Sequence, residues 1–448
     1  MFKRILIANR GEIALRVIRA CRELGIETVA IYSEADAESP HLEQADQRVC
    51  VGGSKSEQSY LNMAAILQAA EQTEAKAVHP GYGFLAENAL FAALCHQSKL
   101  TFIGPSPRVI RLMGDKATAR RTMRAAGLPV VPGSEDVLAN SAQGLDLARE
   151  MGFPVLLKAT AGGGGKGMRI CRDEAGFAAN WEQASLEAGK AFGNAGLYLE
   201  KYVERGRHIE FQFMADAFGH AVHLGERECS VQRSHQKLVE ESPATVIDAA
   251  TRASLGAKVC AGVRAIGYVG AGTMEFLRAP GAELYFMEVN TRLQVEHPVT
   301  EMVTGVDLVK EQIRVAANHA LSLEQERIAL SGHAIECRIN AEDPSRGFRP
   351  CPGLIESFAP PGEIDGVRVR LDTHVRPGYR IPVFYDSMIG KLIVAGDDRE
   401  AARAGMIRAL EAFRVTGIET TIAFHLRILR DPGFISGDYD TGLVGRLL

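Results

Sequence analysis

Residues 158–168 read Lys-Ala-Thr-Ala-Gly-Gly-Gly-Gly-Lys-Gly-Met, and the four consecutive glycines at 162–165 constrain the chain more than any other stretch. Glycine loses more backbone freedom on folding than any other residue, so such a run suits neither a helix nor a strand interior. It lies between Val155-Leu-Leu-Lys158 and Met168-Arg-Ile-Cys-Arg172, both strand-like, which predicts a flexible flap joining two strands. A Walker A loop needs Gly-Lys followed by Ser or Thr and then a helix, whereas Gly167 follows Lys166 here. Successive backbone N–H groups of a flap can still close over phosphates, with Lys158 and Lys166 offsetting charge.

A second pattern supplies acidic groups for the same purpose. In Phe286-Met-Glu288-Val-Asn290-Thr-Arg292-Leu-Gln294-Val-Glu296 every even position from 288 to 296 is polar. Residues two apart share a face of an extended chain, so these five are expected to line one wall if the strand continues past Asn290. Thr273-Met-Glu275-Phe-Leu277 is another strand, joined by an Ala-Pro-Gly-Ala turn, and a hairpin would set Glu275 beside Glu288. Facing carboxylates repel unless a proton or cation lies between them. With Asn290 they make an oxygen set suited to Mg²⁺ or Mn²⁺, metals that also bind phosphate oxygens. A metal–nucleotide site follows. Three further segments (His208, Glu210 and Gln212; Ser234 to Lys237; Glu336 to Glu342) show polar alternation or clustered cations, which solvated strand faces also show.

The rest of the chain reads as α/β followed by α+β. Ile5–Ala8 is a short apolar run; Asn9 and Glu12 then resemble a capping box, helical spacing runs from Ile13 to Leu24, and Gly25 stops it. Thr28–Tyr32, Ala77–His79 and Thr101–Gly104 extend a parallel sheet. The turn Asn-Arg-Gly-Glu lacks G-x-G-x-x-G, so a Rossmann-like layer without a dinucleotide role is expected. Pro129, Pro132 and Gly133 mark a linker, and residues 205–330 read as an antiparallel sheet with helices at Ala249–Ile266 and about Val306–His319. Helices at Arg399–Phe413 and Thr421–Leu429 close the chain.

Composition removes other classes. With 448 residues, 46% hydrophobic and 24% charged, the chain is globular and long enough for roughly two to four domains. A formal net charge of −4 argues against a nucleic-acid-binding face. No apolar stretch approaches the ~20 residues that span a bilayer, and Ile5–Ala8 is too short for a signal-peptide core, so a cytoplasmic protein without a membrane role is expected. The eight cysteines are scattered with no C-x-x-C, as buried reduced thiols would be.

The motifs NRGEIALRVIRA (9–20), HPGYGFLAEN (79–88), MGDK (113–116), KATAGGGGKGMR (158–169), QRSHQKLVEE (232–241), AGTMEF (271–276), MEVNTRLQVEHPVTE (287–301), ECRINAEDP (336–344) and YDSMIGKL (385–392) together resemble biotin carboxylase, the ATP-grasp component of biotin-dependent carboxylases. The resemblance implies a Rossmann-like N-terminal domain (1–114), an ATP-grasp domain (115–330) with a lid subdomain at about 131–204, and a C-terminal domain (331–448). It implies that Lys116, Lys158, Gly164 and Gly165 contact the phosphates of ATP. Glu200, Lys201, Tyr202 and Val203 would hold the adenine, with His208 and His235 also at the nucleotide. Glu275, Glu288 and Asn290 match ligands of two Mg²⁺ or Mn²⁺ ions. Lys237, Arg292, Gln294 and Val295 match the bicarbonate pocket, Glu296 the general base, and Tyr82 and Arg338 the residues that meet biotin. Ala161 and Ser234 depart from common family residues, at positions given no chemistry.

The implied reaction is ATP- and bicarbonate-dependent carboxylation of biotin through carboxyphosphate, the first half-reaction of acetyl-CoA carboxylase in fatty acid synthesis. A propionyl-CoA, pyruvate or other acyl-CoA carboxylase is the alternative setting. No A-M-K-M biotin-attachment sequence occurs. Biotin is therefore expected on a separate carrier protein, with a carboxyltransferase as a further partner, and Arg19 with Glu23 match positions near a homodimer interface. Two competing readings are an ATP-grasp ligase that joins a carboxylate to an amine, and a catalytically silent nucleotide-binding subunit. The first has no reason to keep Arg338 and the bicarbonate residues, and the second would lack a base or metal ligand.

Overall fold

The computed structural model describes residues 1–160 and 168–448. Gly164 and Gly165, expected at the phosphates, lie outside the described residues, as does Lys166. The strands on either side, Val155–Ala159 and Met168–Cys171, pair antiparallel with Lys158 opposite Met168, so the glycine run does join two neighbouring strands.

Three sheets organise the chain. The first is parallel, with Arg4–Ile7 at its centre, Glu27–Tyr32 and Gln47–Cys50 on one side, and Ala77–His79 and Thr101–Phe102 on the other. Gln47–Cys50 was not anticipated; it is four residues long and mostly exposed, too short for alternation to mark it as a strand. The capping-box expectation is corrected. Arg10 is the N-cap of helix Gly11–Glu23 and makes no side-chain cap. Asn9 instead donates to the carbonyls of Pro80 and Tyr82, each at 2.7 Å. A long-range demand for buried amide partners outranks a local cap here.

The second sheet is three-stranded and antiparallel, with Val155–Ala159 between Met168–Cys171 and Leu197–Lys201, covered by helices Ser141–Met151 and Phe177–Phe192. The linker touches it at Gly133, where a Cβ would stand 2.3 Å from the Leu199 carbonyl oxygen, so only glycine fits.

The third sheet is antiparallel and eight-stranded, in the order Leu284–Asn290, Gly270–Arg278, Arg207–Ala215, Ala221–Arg233, Gln236–Ser242, His333–Asn340, Met388–Gly396, Arg368–Thr373. It runs without a break across residue 330, because Gln236–Ser242 pairs with His333–Asn340. Every residue of Arg207–Ala215 is buried, so its polar face is covered and not solvated. Phe211, Phe213, Phe276 and Phe286 fill the core on the other face. Helices Ala249–Ile266 and Leu308–Ala316 match expectation, and His297–Thr304 is additional. The closing helices, Arg399–Ala412 and Ile422–Leu429, are followed by two short ones, Pro432–Ser436 and Leu443–Leu447. No helix among the described residues is long and apolar enough to cross a membrane. All eight cysteines are free; Cys50 is exposed and Cys351 partly so, and the other six are buried.

One buried carboxylate ties the closing helices to the sheet. Glu241 accepts from His333 Nε2 at 2.7 Å, Arg399 Nε at 2.7 Å and the Tyr439 hydroxyl. Burial pushes its pKa up, but the His333 hydrogen bond and Arg399 outweigh burial and hold it at about 2, against an ordinary 4.5. A folded-state pKa below the unfolded one adds stability that is complete above the unfolded value and fades as pH falls toward the folded value. That stabilisation is about 3 kcal/mol at neutral pH. Glu241→Gln should lose about that much in urea unfolding at pH 7, and the gap to wild type should narrow as pH drops below about 4.5.

Candidate active site

The hairpin of Gly270–Arg278 and Leu284–Asn290 sets Glu275 directly opposite Glu288, with Asn290 two residues further along the same strand. Both carboxylates and Asn290 open into a cavity of about 390 Å³. Lys116, Lys158, His208, His235, Lys237, Arg292, Gln294, Val295, Glu296 and Arg338 also line it. Residues scattered over more than two hundred positions thus meet in one place.

Lys237 is the hub. Its Nζ donates to Glu210 at 2.5 Å, Glu296 at 2.5 Å and Glu275 at 3.1 Å. Burial works against its charge, yet these three carboxylates raise its pKa well above the ordinary lysine value. Glu275 Oε1 also accepts from Asn290 at 2.8 Å and Gln294 at 2.9 Å, while Oε2 lies 3.0 Å from His208 Nε2. Burial would raise the Glu275 pKa, but Lys237 and His208 hold it well below the carboxylate range. Glu296 is pulled the same way by Lys237, Arg338 and Arg227 against its own burial, with Arg338 Nη2 at 2.9 Å. Lys116 stands 3.2 Å from Glu288 at the mouth.

The expectation of an extended wall from 288 to 296 is corrected. The strand ends at Asn290, residues 291–296 form a loop, and helix His297–Thr304 begins directly after Glu296. Two forces turn the chain. Glu87 accepts from Thr291 N at 2.9 Å, Thr291 Oγ1 at 3.1 Å and Arg292 Nε at 2.8 Å. Pro298, in the first helical turn, is pre-set for a helix start. Arg292, Gln294 and Glu296 still face the cavity, brought there by the loop.

Glu200 to Val203 stand apart from the cavity lining. The Glu200 carboxylate is held by Arg120 and Lys158, and Lys201 Nζ donates to the Gly152 carbonyl at 2.8 Å. Tyr82 lines an adjoining cavity of about 510 Å³ that shares Lys237, Arg292, Val295 and Arg338 with the first. Its hydroxyl donates to Glu12.

Sequence reasoning missed the supports. Arg227, fully buried in strand Ala221–Arg233, directs five hydrogen bonds to Glu210, Gln212, Thr300, Thr273 and Gln294. Glu240 accepts from Arg338 Nε at 2.6 Å and holds it beside Glu296; burial raises its own pKa to about 7. Glu87 sits inside a quoted motif, but nothing local says it would reach Arg292. The one signal for Arg227 is the charged run Glu226-Arg227-Glu228 in the middle of a strand.

The glycine-linked strand pair, the acidic hairpin and the cation-lined cavity define an ATP-grasp ligase. Family models agree: "Biotin carboxylase, N-terminal domain" matches residues 1–110, "Carbamoyl-phosphate synthase L chain, ATP binding domain" 115–324, and "Biotin carboxylase C-terminal domain" 336–446. Biotin carboxylase of Nostoc sp. is 54% identical over 443 residues, covering 99% of this chain and 98% of that protein. The biotin carboxylase–β-γ-ATP complex from Campylobacter jejuni superposes with a TM-score of 0.95 at 48% identity, covering 100% and 99% of the two chains. The biotin carboxylase domain dimer of Hydrogenobacter thermophilus 2-oxoglutarate carboxylase, in complex with MgADP, ADP and bicarbonate, has a TM-score of 0.93 at 50% identity, covering 100% and 98%. The chain belongs to the biotin carboxylase family.

Removing one partner from a buried ion pair leaves an uncompensated charge, at a cost of about 3–5 kcal/mol. Arg227→Met should therefore lower unfolding free energy by about that amount, and adding Glu210→Gln should recover part of it. A double-mutant cycle in urea checks this.

Proposed function

We propose that this cavity carboxylates biotin with ATP and bicarbonate, as the first half-reaction of a multi-subunit acetyl-CoA carboxylase. The observation that carries the reading is the convergence of Lys237, Arg292 and Arg338 around Glu296, beside an acidic hairpin. Three cations and one carboxylate suit a small anion that must lose a proton, and the hairpin suits a triphosphate with its metal.

The donor set fits Mg²⁺ or Mn²⁺: Glu275 and Glu288 face each other, Asn290 adds an amide oxygen, and all three open to the cavity. Those residues would hold two ions, which when bound offset charge on the transferring phosphoryl group. Lys116 and Lys158, both at the cavity, would contact the phosphates, with Gly164 and Gly165 of the lid. Glu200, Lys201, Tyr202 and Val203 would hold the adenine, and His208 and His235 would complete the nucleotide site.

Arg292, Gln294, Val295 and Lys237 would seat bicarbonate, and Glu296 would take its proton. Glu296 is now neutralised by Lys237 and Arg338, which makes it a weak base. An entering bicarbonate competes for both cations and so returns basicity to Glu296 when it is needed. The deprotonated oxygen attacks the γ-phosphorus, ADP leaves, and carboxyphosphate forms. Its breakdown gives CO₂ and phosphate, and the phosphate removes the ureido N1 proton of biotin. N1 then attacks CO₂, while Arg338 stabilises the anionic ureido oxygen and Tyr82 lines the biotin side.

We further take the chain as three units, 1–114, 115–330 with a lid at about 131–204, and 331–448. An apolar core within residues 6–100 and another within 138–199 support the first unit and the lid, whereas the core around the closing helices also takes in Val231, Leu238 and Val239. A biotin carrier protein and a carboxyltransferase are the partners this reading requires. A homodimer is supported by exposed Arg19 and Glu23 on helix Gly11–Glu23 and by the dimeric relative. That relative belongs to a 2-oxoglutarate carboxylase, which favours a 2-oxo acid as the second choice of final acceptor.

The test is phosphate release from ATP with and without bicarbonate and free biotin. Turnover should need bicarbonate and rise with biotin; turnover indifferent to both would end the reading. Glu296→Ala should lower kcat by about two orders of magnitude or more, the scale of a lost general base. A loss of only a few-fold would remove Glu296 from that role.

A further inference from the structure

The reaction gives no task to the motif around Lys391. Lys391 is the one buried lysine among the described residues, and its side chain has no exposure at all. Lysine is strongly hydrated, so a fully buried ammonium persists only where several acceptors replace water. It stands in strand Met388–Gly396, opposite Asp372 on one side and Arg338 on the other. Its Nζ donates to the Val295 carbonyl at 2.9 Å and lies 3.1 Å from Glu12 Oε1 and 3.9 Å from Asp372.

Those acceptors belong to different parts of the site. Val295 is in the loop 291–296, which has neither helix nor strand to hold it beside the proposed bicarbonate position. Glu12 lies in the first turn of the N-terminal helix, and the same Oε1 receives the Tyr82 hydroxyl. The Tyr82 ring centre is 5.9 Å from Nζ, and Asn9 pins the Tyr82 carbonyl at 2.7 Å. One ammonium therefore joins the loop on the bicarbonate side to the tyrosine on the biotin side.

We propose that Lys391 is a positioning residue: it fixes the 291–296 loop through the Val295 carbonyl and Tyr82 through Glu12, and so sets the spacing of the bicarbonate and biotin sites. It touches neither substrate. Among the described residues its ammonium partners are Val295, Glu12, Asp372 and the Tyr82 ring, which include neither Lys116 nor Glu288 at the nucleotide end.

The inference rests on the function proposed above, and the experiment separates the two. Lys391→Met leaves Glu12 buried without its cation, so Glu12→Gln with Lys391→Met is made as well, which removes both members of the pair together. Thermal unfolding and KM for ATP, bicarbonate and free biotin are measured on wild type and both variants. The double variant should fold, raise KM for bicarbonate and for biotin by about ten-fold or more, the scale of a lost charge-assisted hydrogen bond, and leave KM for ATP within about two-fold. Bicarbonate and biotin KM values unchanged in the double variant would overturn the proposal. So would a double variant that does not fold, or one that raises all three KM values alike, because Lys391 would then be a residue of the core. A wild type indifferent to bicarbonate and biotin would instead end the functional reading itself.

Discussion

Charge buried inside a covered sheet is the constraint on which this molecule turns. Strand Arg207–Ala215, inside the eight-stranded sheet, carries aromatic rings on one face and ionic side chains on the other, and every one of its residues is buried. An ion placed there is unfavourable by several kcal/mol unless partners replace its hydration. Arg227 meets that demand with five acceptors, and Lys237 with three carboxylates. Each partner is thereby fixed in turn, because Gln294 spans from Arg227 to Glu275 and Arg338 from Glu240 to Glu296. Pre-organisation here follows from desolvation.

The same balance sets the reactivity of the site. Alone, burial would raise the carboxyl groups of Glu275 and Glu296 and lower the lysine, leaving the neutral forms. Packed together, each holds the others ionised. Chemistry that needs an anion gripped and a proton removed can then run by exchanging partners, without creating net charge in a dry site.

Much of the fold and of the reactive set was legible. Glu275 opposite Glu288 follows from strand alternation and a short turn, both local properties, and the glycine run demanded a link between strands. Helix Ala249–Ile266 has an Asp248 cap and a Gly267 stop, so its ends were written in its own residues. What escaped was governed from a distance. Asn9 looks like a cap but serves carbonyls seventy residues away, and strand continuation past Asn290 lost to Glu87 and Pro298. Arg227, Glu240 and Lys391 resemble ordinary strand residues until neighbouring strands are in place. Only the register of the finished sheet shows which charges meet.

The uninterrupted sheet carries one more implication. Strand His333–Asn340 is both the start of the last third of the chain and the neighbour that completes Gln236–Ser242. Severing the polypeptide near residue 330 would leave two raw borders, each a row of bare amides and carbonyls ready to recruit any extended segment nearby. The portion after that point is thus no detachable module, and circularly rearranged or shortened versions of this chain must keep that seam closed to stay in solution.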